Sequence, residues 1–107
     1  MSAAEPERSV FRAIADPTRR AILDRLRRGP TAVNELASAF SQSRPAISKH
    51  LRILREARVV SEERHGRERL YRLEPHQLQE VADWILPYRA FWQASLGNLK
   101  AYLEREK

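Results

Sequence analysis

The chain has 107 residues and a mass of 12.5 kDa, which leaves room for one compact domain and excludes a two-domain enzyme. Its 20 lysine and arginine residues outnumber 14 acidic ones, and the net charge of +6 suits a partner that carries phosphates. The chain has no cysteine, which excludes a disulfide framework, a zinc ribbon and a thiolate sensor. Its apolar runs are too short to span a membrane and no signal peptide is recognisable, so we expect a soluble, cytoplasmic protein.

Three helices are predicted in the first 40 residues. We expect residues 1–6 to be frayed and a short helix to begin at Glu7. A second helix is predicted over residues 17–28, because Asp16 is a good N-cap and proline is favoured at the first helical position. Thr31 is expected to cap a third, shorter helix. The apolar stripes of these helices are Val10, Phe11 and Ile14, then Ile22, Leu23 and Leu26, then Val33, Leu36, Ala37 and Phe40.

A fourth helix, predicted from its N-cap Ser43 to Ala57, has two distinct faces. Ile47, Leu51 and Leu54 fall on one apolar stripe at 100° per residue. The third helix, a tight turn and this helix form a helix-turn-helix, whose second helix can enter a major groove. Its short polar groups and one arginine can read base edges, while its other cations contact phosphates. The candidates for base edges are Gln42, Ser43, Arg44 and Ser48, and those for phosphates are Lys49, Arg52 and Arg55.

The net positive charge is concentrated in residues 43–73, which carry nine basic and four acidic side chains. The second part of this stretch predicts a β-hairpin over residues 59–64 and 69–73, with Gly66 in its loop. Three arginines flank the tip, where a wing could follow the neighbouring minor groove or the backbone. The alternative is a hairpin that its arginines keep soluble. The arginines in question are Arg64, Arg67 and Arg69.

Two further helices complete the predicted order α-α-α-α-β-β-α-α, a single, mainly α winged helix-turn-helix domain over residues 1–107. The fifth helix opens at Glu74-Pro75, Pro87 ends or kinks it, and the last helix runs from Tyr88 to Glu104. Within residues 75–104 the apolar side chains of the last helix recur at steps of 4, 3 and 4, as in a helix–helix seam.

This seam predicts a homodimer, in which it packs across a two-fold axis against the first helix of a partner copy. An intramolecular core face is the alternative. The predicted dimer residues are Val10, Phe11, Ile14, Tyr88, Phe91, Trp92, Leu96, Leu99 and Leu103.

Four segments of the chain resemble the ArsR/SmtB family of bacterial winged-helix regulators. They are ADPTRRAIL (15–23), TAVNELASAF (31–40), SQSRPAISKHLRILREARVV (41–60) and GRERLYRL (66–73), and the pattern S-x-x-x-x-S-x-H-L over the fourth helix is quite specific. The end of the chain, beginning PYRAFW, is similar to a sub-branch without the metal-binding cysteines. Arg58 departs from the family, in which glycine often precedes the first strand of the wing.

The resemblance implies a homodimer that binds an imperfect inverted repeat near a promoter, often its own, and represses transcription. By carry-over it assigns Gln42, Ser43, Arg44, Ser48 and His50 to the DNA-reading helix and Arg67 to the wing. His50 also lies beside the apolar stripe, so a structural hydrogen bond to a neighbouring helix and a phosphate contact both stay open.

The remaining alternatives concern partners and signals. No pair or triad of histidines has metal-ligand spacing, and no nucleophile set or phosphate-cradling glycine loop is present, so we expect no metal, no cofactor and no enzyme activity. A winged-helix dimer that contacts an acidic protein is the second functional hypothesis. A small apolar ligand near Trp84, Tyr88, Phe91 and Trp92 is a candidate signal, but the effector is unknown. A repressor is the leading hypothesis, and the sequence leaves an activator open.

Overall fold

Five helices and three short strands make up residues 9–105, the part of the chain that the computed structural model describes. The first predicted helix start, Glu7, and the predicted frayed residues 1–6 lie outside this range. In chain order the elements are α1 (Val10–Ala13), α2 (Pro17–Leu26), β1 (Thr31–Ala32), α3 (Val33–Ala39), α4 (Arg44–Glu56), β2 (Val60–His65), β3 (Glu68–Leu73), a 3₁₀ turn (Pro75–Leu78) and α5 (Gln79–Arg105).

Two predicted N-caps fix the starts of α2 and α4. The carboxylate of Asp16 accepts a hydrogen bond from the backbone N–H of Arg19 at 3.0 Å, and the Ser43 hydroxyl accepts one from that of Ala46 at 3.3 Å. Each cap satisfies one of the backbone donors that the first turn of a helix leaves without a partner. These starts are confirmed, whereas α2 ends at Leu26, two residues before the predicted end.

The predicted cap at Thr31 is wrong, because this residue belongs to a strand. Its hydroxyl donates to the carbonyl oxygen of Gly29 at 3.0 Å, and α3 begins after Ala32 without a side-chain cap. The strand β1 pairs antiparallel with β3, with Thr31 opposite Tyr71. The sheet therefore has three strands in the order β1-β3-β2, one more than the hairpin predicts, and it joins the wing to the helix-turn-helix.

The hairpin is confirmed with a shorter loop than predicted. His65 pairs with Glu68, so that Gly66 and Arg67 alone form the turn. Gly66 has φ +63°, which glycine adopts without the steric cost of a Cβ atom.

The end of α4 has the hydrogen bonds of a Schellman motif. The N–H of Val59 donates to the carbonyl of Leu54 at 3.1 Å, and that of Arg58 donates to Arg55 at 3.0 Å. Arg58 therefore takes the left-handed position, with φ +63°, where glycine is the favoured residue. The arginine that replaces the family's frequent glycine at position 58 is therefore held in a backbone conformation that is strained for a residue with a side chain.

The core lies between the first four helices and the sheet. The three predicted inward residues of α4, Ile47, Leu51 and Leu54, are completely buried, as is Leu36 of α3. Three apolar residues of α2 belong to the same core. Two valines that follow α4 and one tyrosine of β3 also pack into it. These further members are Ile22, Leu23, Leu26, Val59, Val60 and Tyr71.

The prediction of two separate C-terminal helices is wrong, because α5 continues through Pro87 for 27 residues. Proline removes one interior hydrogen bond, and the carbonyl of Asp83 that would have accepted it lies on an exposed stretch where water can bind it. None of the residues Gln79–Arg105 is buried. The Cα radius of gyration is 18.3 Å, whereas about 13 Å is expected for a globular chain of this length, so the helix projects from the rest.

Candidate nucleic-acid interface

A groove between α4 and the wing gathers most of the predicted DNA-binding residues. It is lined by seven of them, together with the start of α3 and the side chains of Glu68 and Tyr71. Such a concentration of guanidinium groups attracts phosphates and can also pair with guanine. The seven predicted residues are Arg44, Ser48, Arg52, Arg55, Arg64, Arg67 and Arg69.

The first two turns of α4 present their polar groups to solvent. Ser43, Arg44, Ser48 and Lys49 are all exposed, on the side opposite the buried apolar stripe. Ser48 and Arg52 stand four residues apart, which places them on the same face of the helix. Lys49 is exposed but is not one of the residues that line the groove.

His50 and Gln42 link the helix-turn-helix to α2 through hydrogen bonds. Arg19 Nη1 lies 3.2 Å from Nδ1 of His50, and His50 Nε2 lies 3.1 Å from Oε1 of Gln42. Because a guanidinium only donates, Nδ1 accepts and the proton of the neutral ring resides on Nε2. The Gln42 amide nitrogen donates in turn to the Thr18 hydroxyl at 2.6 Å. Both groups that the family pattern assigns to DNA are thus engaged with α2, and for His50 this geometry supports the structural alternative.

Arg19 connects the same network to α1. Its Nε donates to the carbonyl of Ala13 at 2.7 Å and its Nη2 to that of Arg12 at 3.2 Å. Burial opposes ionisation of the adjacent Asp16, but the backbone N–H of Arg19, the nearby basic side chains of His50 and Arg19, and the N–H of Thr18 outweigh it and lower the pKa of that carboxyl. The network thus ties α1, the turn and α4 into one unit.

The carboxylate of Glu62 connects α4 with the wing and contacts three residues of the arginine groove. Oε2 of Glu62 accepts from Arg55 Nη1 at 2.6 Å and from the Tyr71 hydroxyl at 3.0 Å, and Oε1 lies 3.8 Å from Arg69 Nε. Burial, followed by the hydrogen bond and negative charge of Glu62, raises the pKa of Tyr71. Arg55, predicted as a phosphate contact, is therefore paired within the protein.

The opposite face of the wing carries a separate, more exposed set of charges. Glu63 accepts from Arg72 at 3.2 Å and lies 3.3 Å from His65 Nε2. The hydrogen bond and charge of His65, and then Arg72, lower the pKa of Glu63 against a small opposing effect of burial. These groups do not line the arginine groove.

The predicted dimer residues divide into two groups. Six of them are exposed on α5, with Phe91 the most exposed at 69 %. Val10, by contrast, is only 3 % exposed, so the structure assigns its side chain to the chain's own core rather than to a dimer surface. Phe11 and Ile14 are partly buried against that core. The six exposed residues are Tyr88, Phe91, Trp92, Leu96, Leu99 and Leu103.

Aromatic contacts occupy the region suggested for an apolar ligand. The ring of Trp84 meets Phe11 edge-on at a centroid distance of 5.8 Å and Tyr88 at 5.4 Å. These contacts account for the three rings without a ligand, and a small-molecule signal stays a prediction. Within residues 9–105 no three metal-ligating side chains converge, and none of the helices is long and apolar enough to cross a bilayer.

Comparison with known proteins places these features in a family. The model for "bacterial regulatory protein, arsR family" matches residues 16–62. The chain is 50 % identical over 101 residues to the HTH-type transcriptional regulator Rv2034 of Mycobacterium tuberculosis, covering 94 % of this chain and 91 % of that protein. The chain belongs to the arsR family. It is also 44 % identical over 80 residues to the transcriptional repressor SdpR of Bacillus subtilis, covering 75 % and 89 % of the two chains.

Solved structures agree with this assignment. A crystal structure described as a possible transcriptional regulator for arsenical resistance matches with a TM-score of 0.67 at 39 % identity, covering 89 % of this chain and 94 % of that one. The predicted family and the winged helix-turn-helix fold are confirmed. This arsR-family chain is a DNA-binding transcriptional regulator and not an enzyme.

Sequence reasoning missed four side chains of this interface: Thr18, Arg19, Glu62 and Tyr71. Thr18 and Arg19 lie at least 24 residues before their partners, so no local spacing signals the contact. The pairing of Glu62 with Tyr71 could have been found, because a hairpin with a two-residue turn at Gly66-Arg67 sets them opposite each other.

Proposed function

We propose that this arsR-family chain is a repressor that binds an inverted-repeat operator as a homodimer in the cytoplasm, its own promoter being a candidate site. Each chain forms one winged domain, and α5 joins two of them. The observation that carries the proposal is the groove of six arginines and Ser48 between α4 and the wing. A surface of this charge and shape fits a duplex, since α4 can enter a major groove while the wing follows the neighbouring backbone.

The exposed apolar stripe of α5 supports the homodimer. A contiguous stripe of large apolar side chains is seldom left in water by a soluble domain. A two-fold axis through it brings identical stripes together, with Phe11 and Ile14 at its edge. Two copies of α4 then face one side of the duplex, at the spacing of about 34 Å that successive major grooves require.

The proposed roles within the groove follow from length and exposure. Arg44 and Ser48 lie on the exposed face near the start of α4, where a helix comes closest to base edges. Arg52 and Lys49 on α4, and Arg64 and Arg67 on the wing, reach outward to phosphates. Gln42 and His50 position the turn through Thr18 and Arg19, with Ser43 as the cap that orients the first turn.

Two single substitutions on adjacent parts of α4 test these roles. Duplexes are first selected from a random pool by repeated binding, and affinities are then measured for the selected and for a scrambled duplex. We expect Arg44→Ala to weaken binding by about 1–3 kcal/mol and to relax the preference at one base of each half-site. Lys49→Ala, the matched control, should weaken all sequences equally and make the salt dependence shallower.

The salt dependence itself separates DNA reading from contact with an acidic protein. If about 6–10 phosphates are contacted per dimer, log K falls against log salt with a slope of roughly −5 to −9. A shallow slope together with equal affinity for every sequence contradicts the repressor proposal. Equal weakening of all sequences by Arg44→Ala makes Arg44 a phosphate contact instead.

A further inference from the structure

Glu62 is an acidic side chain that contacts three residues of the arginine groove, namely Arg55, Arg69 and Tyr71. Its side chain is only 22 % exposed, and both of its carboxylate oxygens face basic or donor groups. An acidic group near bound phosphates repels them, so a carboxylate in contact with two arginines of the groove calls for a role other than DNA contact.

The partners of Glu62 come from two elements that have to be aligned. Arg55, at 2.6 Å, stands in the last turn of α4, whereas Tyr71 and Arg69 belong to β3 of the wing. The carboxylate therefore bridges α4 and the wing, by one charge-assisted hydrogen bond from Arg55 on the α4 side and by a hydrogen bond from the buried Tyr71 on the wing side. Tyr71 is itself opposite Glu62 in the register of the hairpin, which fixes the wing end of the bridge.

We propose that Glu62 is a positioning residue that sets the separation of the wing from α4 and withholds Arg55 and Arg69 from indiscriminate phosphate contacts. The inference rests on the proposed DNA-binding function. A fixed groove width lets α4 and the wing meet bases and backbone in one register, which favours the operator over other sequences. A groove with mobile walls and free guanidinium groups binds any duplex.

The neighbouring residue supplies a matched control. Glu62→Gln and Glu63→Gln each remove one negative charge from β2, but Glu63 lies on the opposite face, 53 % exposed, with Arg72 and His65. We expect the ratio of affinities for the selected and the scrambled duplex to fall about tenfold in Glu62→Gln, with tighter binding of the scrambled duplex and a steeper salt slope. In Glu63→Gln the ratio should stay within about twofold of the wild type.

Two variants separate position from charge and keep the test valid if Glu62→Gln does not fold. Glu62→Asp preserves the charge and shortens the reach, and Tyr71→Phe preserves the carboxylate and removes one of its donors. We expect the ratio to fall in both. If Glu62→Asp and Tyr71→Phe behave like the wild type, or if Glu62→Gln and Glu63→Gln change equally, the inference is overturned.

A readout without DNA measures the groove directly. The chain has no native cysteine, so nitroxide labels can be attached through Glu56→Cys at the end of α4 and Arg67→Cys at the wing tip. Labelled chains diluted with unlabelled ones should show a broader distance distribution with Glu62→Gln, and an unchanged one with Glu63→Gln. An unchanged distribution in both contradicts the inference alone. A wild-type protein that selects no sequence contradicts the proposed function, and the inference with it.

Discussion

The region from α1 to β3 and the C-terminal helix α5 differ in how far their apolar side chains are buried. In the first, the apolar residues of four helices and the sheet enclose one another, and Ile47, Leu51 and Leu54 are completely buried. In the second, 27 residues of helix carry aromatic and leucine side chains of which none is buried. The same chain therefore contains a closed hydrophobic core and a second set of apolar side chains that stays exposed to solvent.

This difference separates two functions in the molecule. The enclosed region holds its DNA-facing groups in place, through the bridge at Glu62 and the network of Arg19, His50 and Gln42. The helix α5 offers instead an exposed apolar surface, which we propose is buried against a second chain. The contact of Trp84 with Phe11 is one place where the two regions meet.

The largest expected effect comes from a charge placed in the exposed stripe. Leu96→Glu should convert the dimer to a monomer, because two carboxylates would face each other across the two-fold axis, and operator affinity should fall more than 100-fold. Ala94→Glu, which lies on the opposite side of the helix, should leave the dimer intact. Sedimentation velocity measures both. A dimer that survives Leu96→Glu places the interface elsewhere.

A pair of leucine truncations compares the two regions directly. Leu51→Ala should lower the free energy of unfolding by about 2–5 kcal/mol, because it opens a cavity in a closed core. Leu99→Ala, made in the monomeric Leu96→Glu background, should change it by less than about 0.5 kcal/mol, since the side chain is already exposed. Urea unfolding followed by circular dichroism measures both. Equal costs would mean that α5 is packed within its own chain.

The smallest expected effect tests the backbone strain at Arg58, at the end of α4. Arg58→Gly should raise the free energy of unfolding by about 1 kcal/mol, because it relieves a side chain held at φ +63° in the Schellman motif. Arg52→Gly, at an exposed position inside α4, should lower it by about as much. Thermal unfolding of the two variants checks the opposite signs, and a loss of stability in Arg58→Gly would refute the strain.

Local chemistry made much of this fold predictable. The caps at Asp16 and Ser43, the buried stripe of α4 and the turn at Gly66 follow from neighbouring residues alone. The strand β1 does not, because two residues carry no period and its pairing with Tyr71 joins positions 40 residues apart. The continuation of α5 through Pro87 was not predicted, because proline usually ends or kinks a helix. Here water can hydrogen-bond the carbonyl that proline leaves without a donor, so the helix continues.

The candidate site likewise has residues that local sequence spacing predicts and contacts that it does not. The spacing of cations and serines on α4 and the hairpin predicted the seven groove residues. The hydrogen bonds of Gln42 and His50 with Thr18 and Arg19 of α2 could not be predicted, because sequence spacing does not bring α2 near them.

The central claim is that two chains, joined through α5, bind one duplex with both copies of α4. The most direct measurement is the mass of the complex formed with a selected duplex, by sedimentation equilibrium at several salt concentrations. The account predicts two chains per duplex, on a selected sequence with inverted symmetry. One chain per duplex, or a selected sequence without that symmetry, would contradict it.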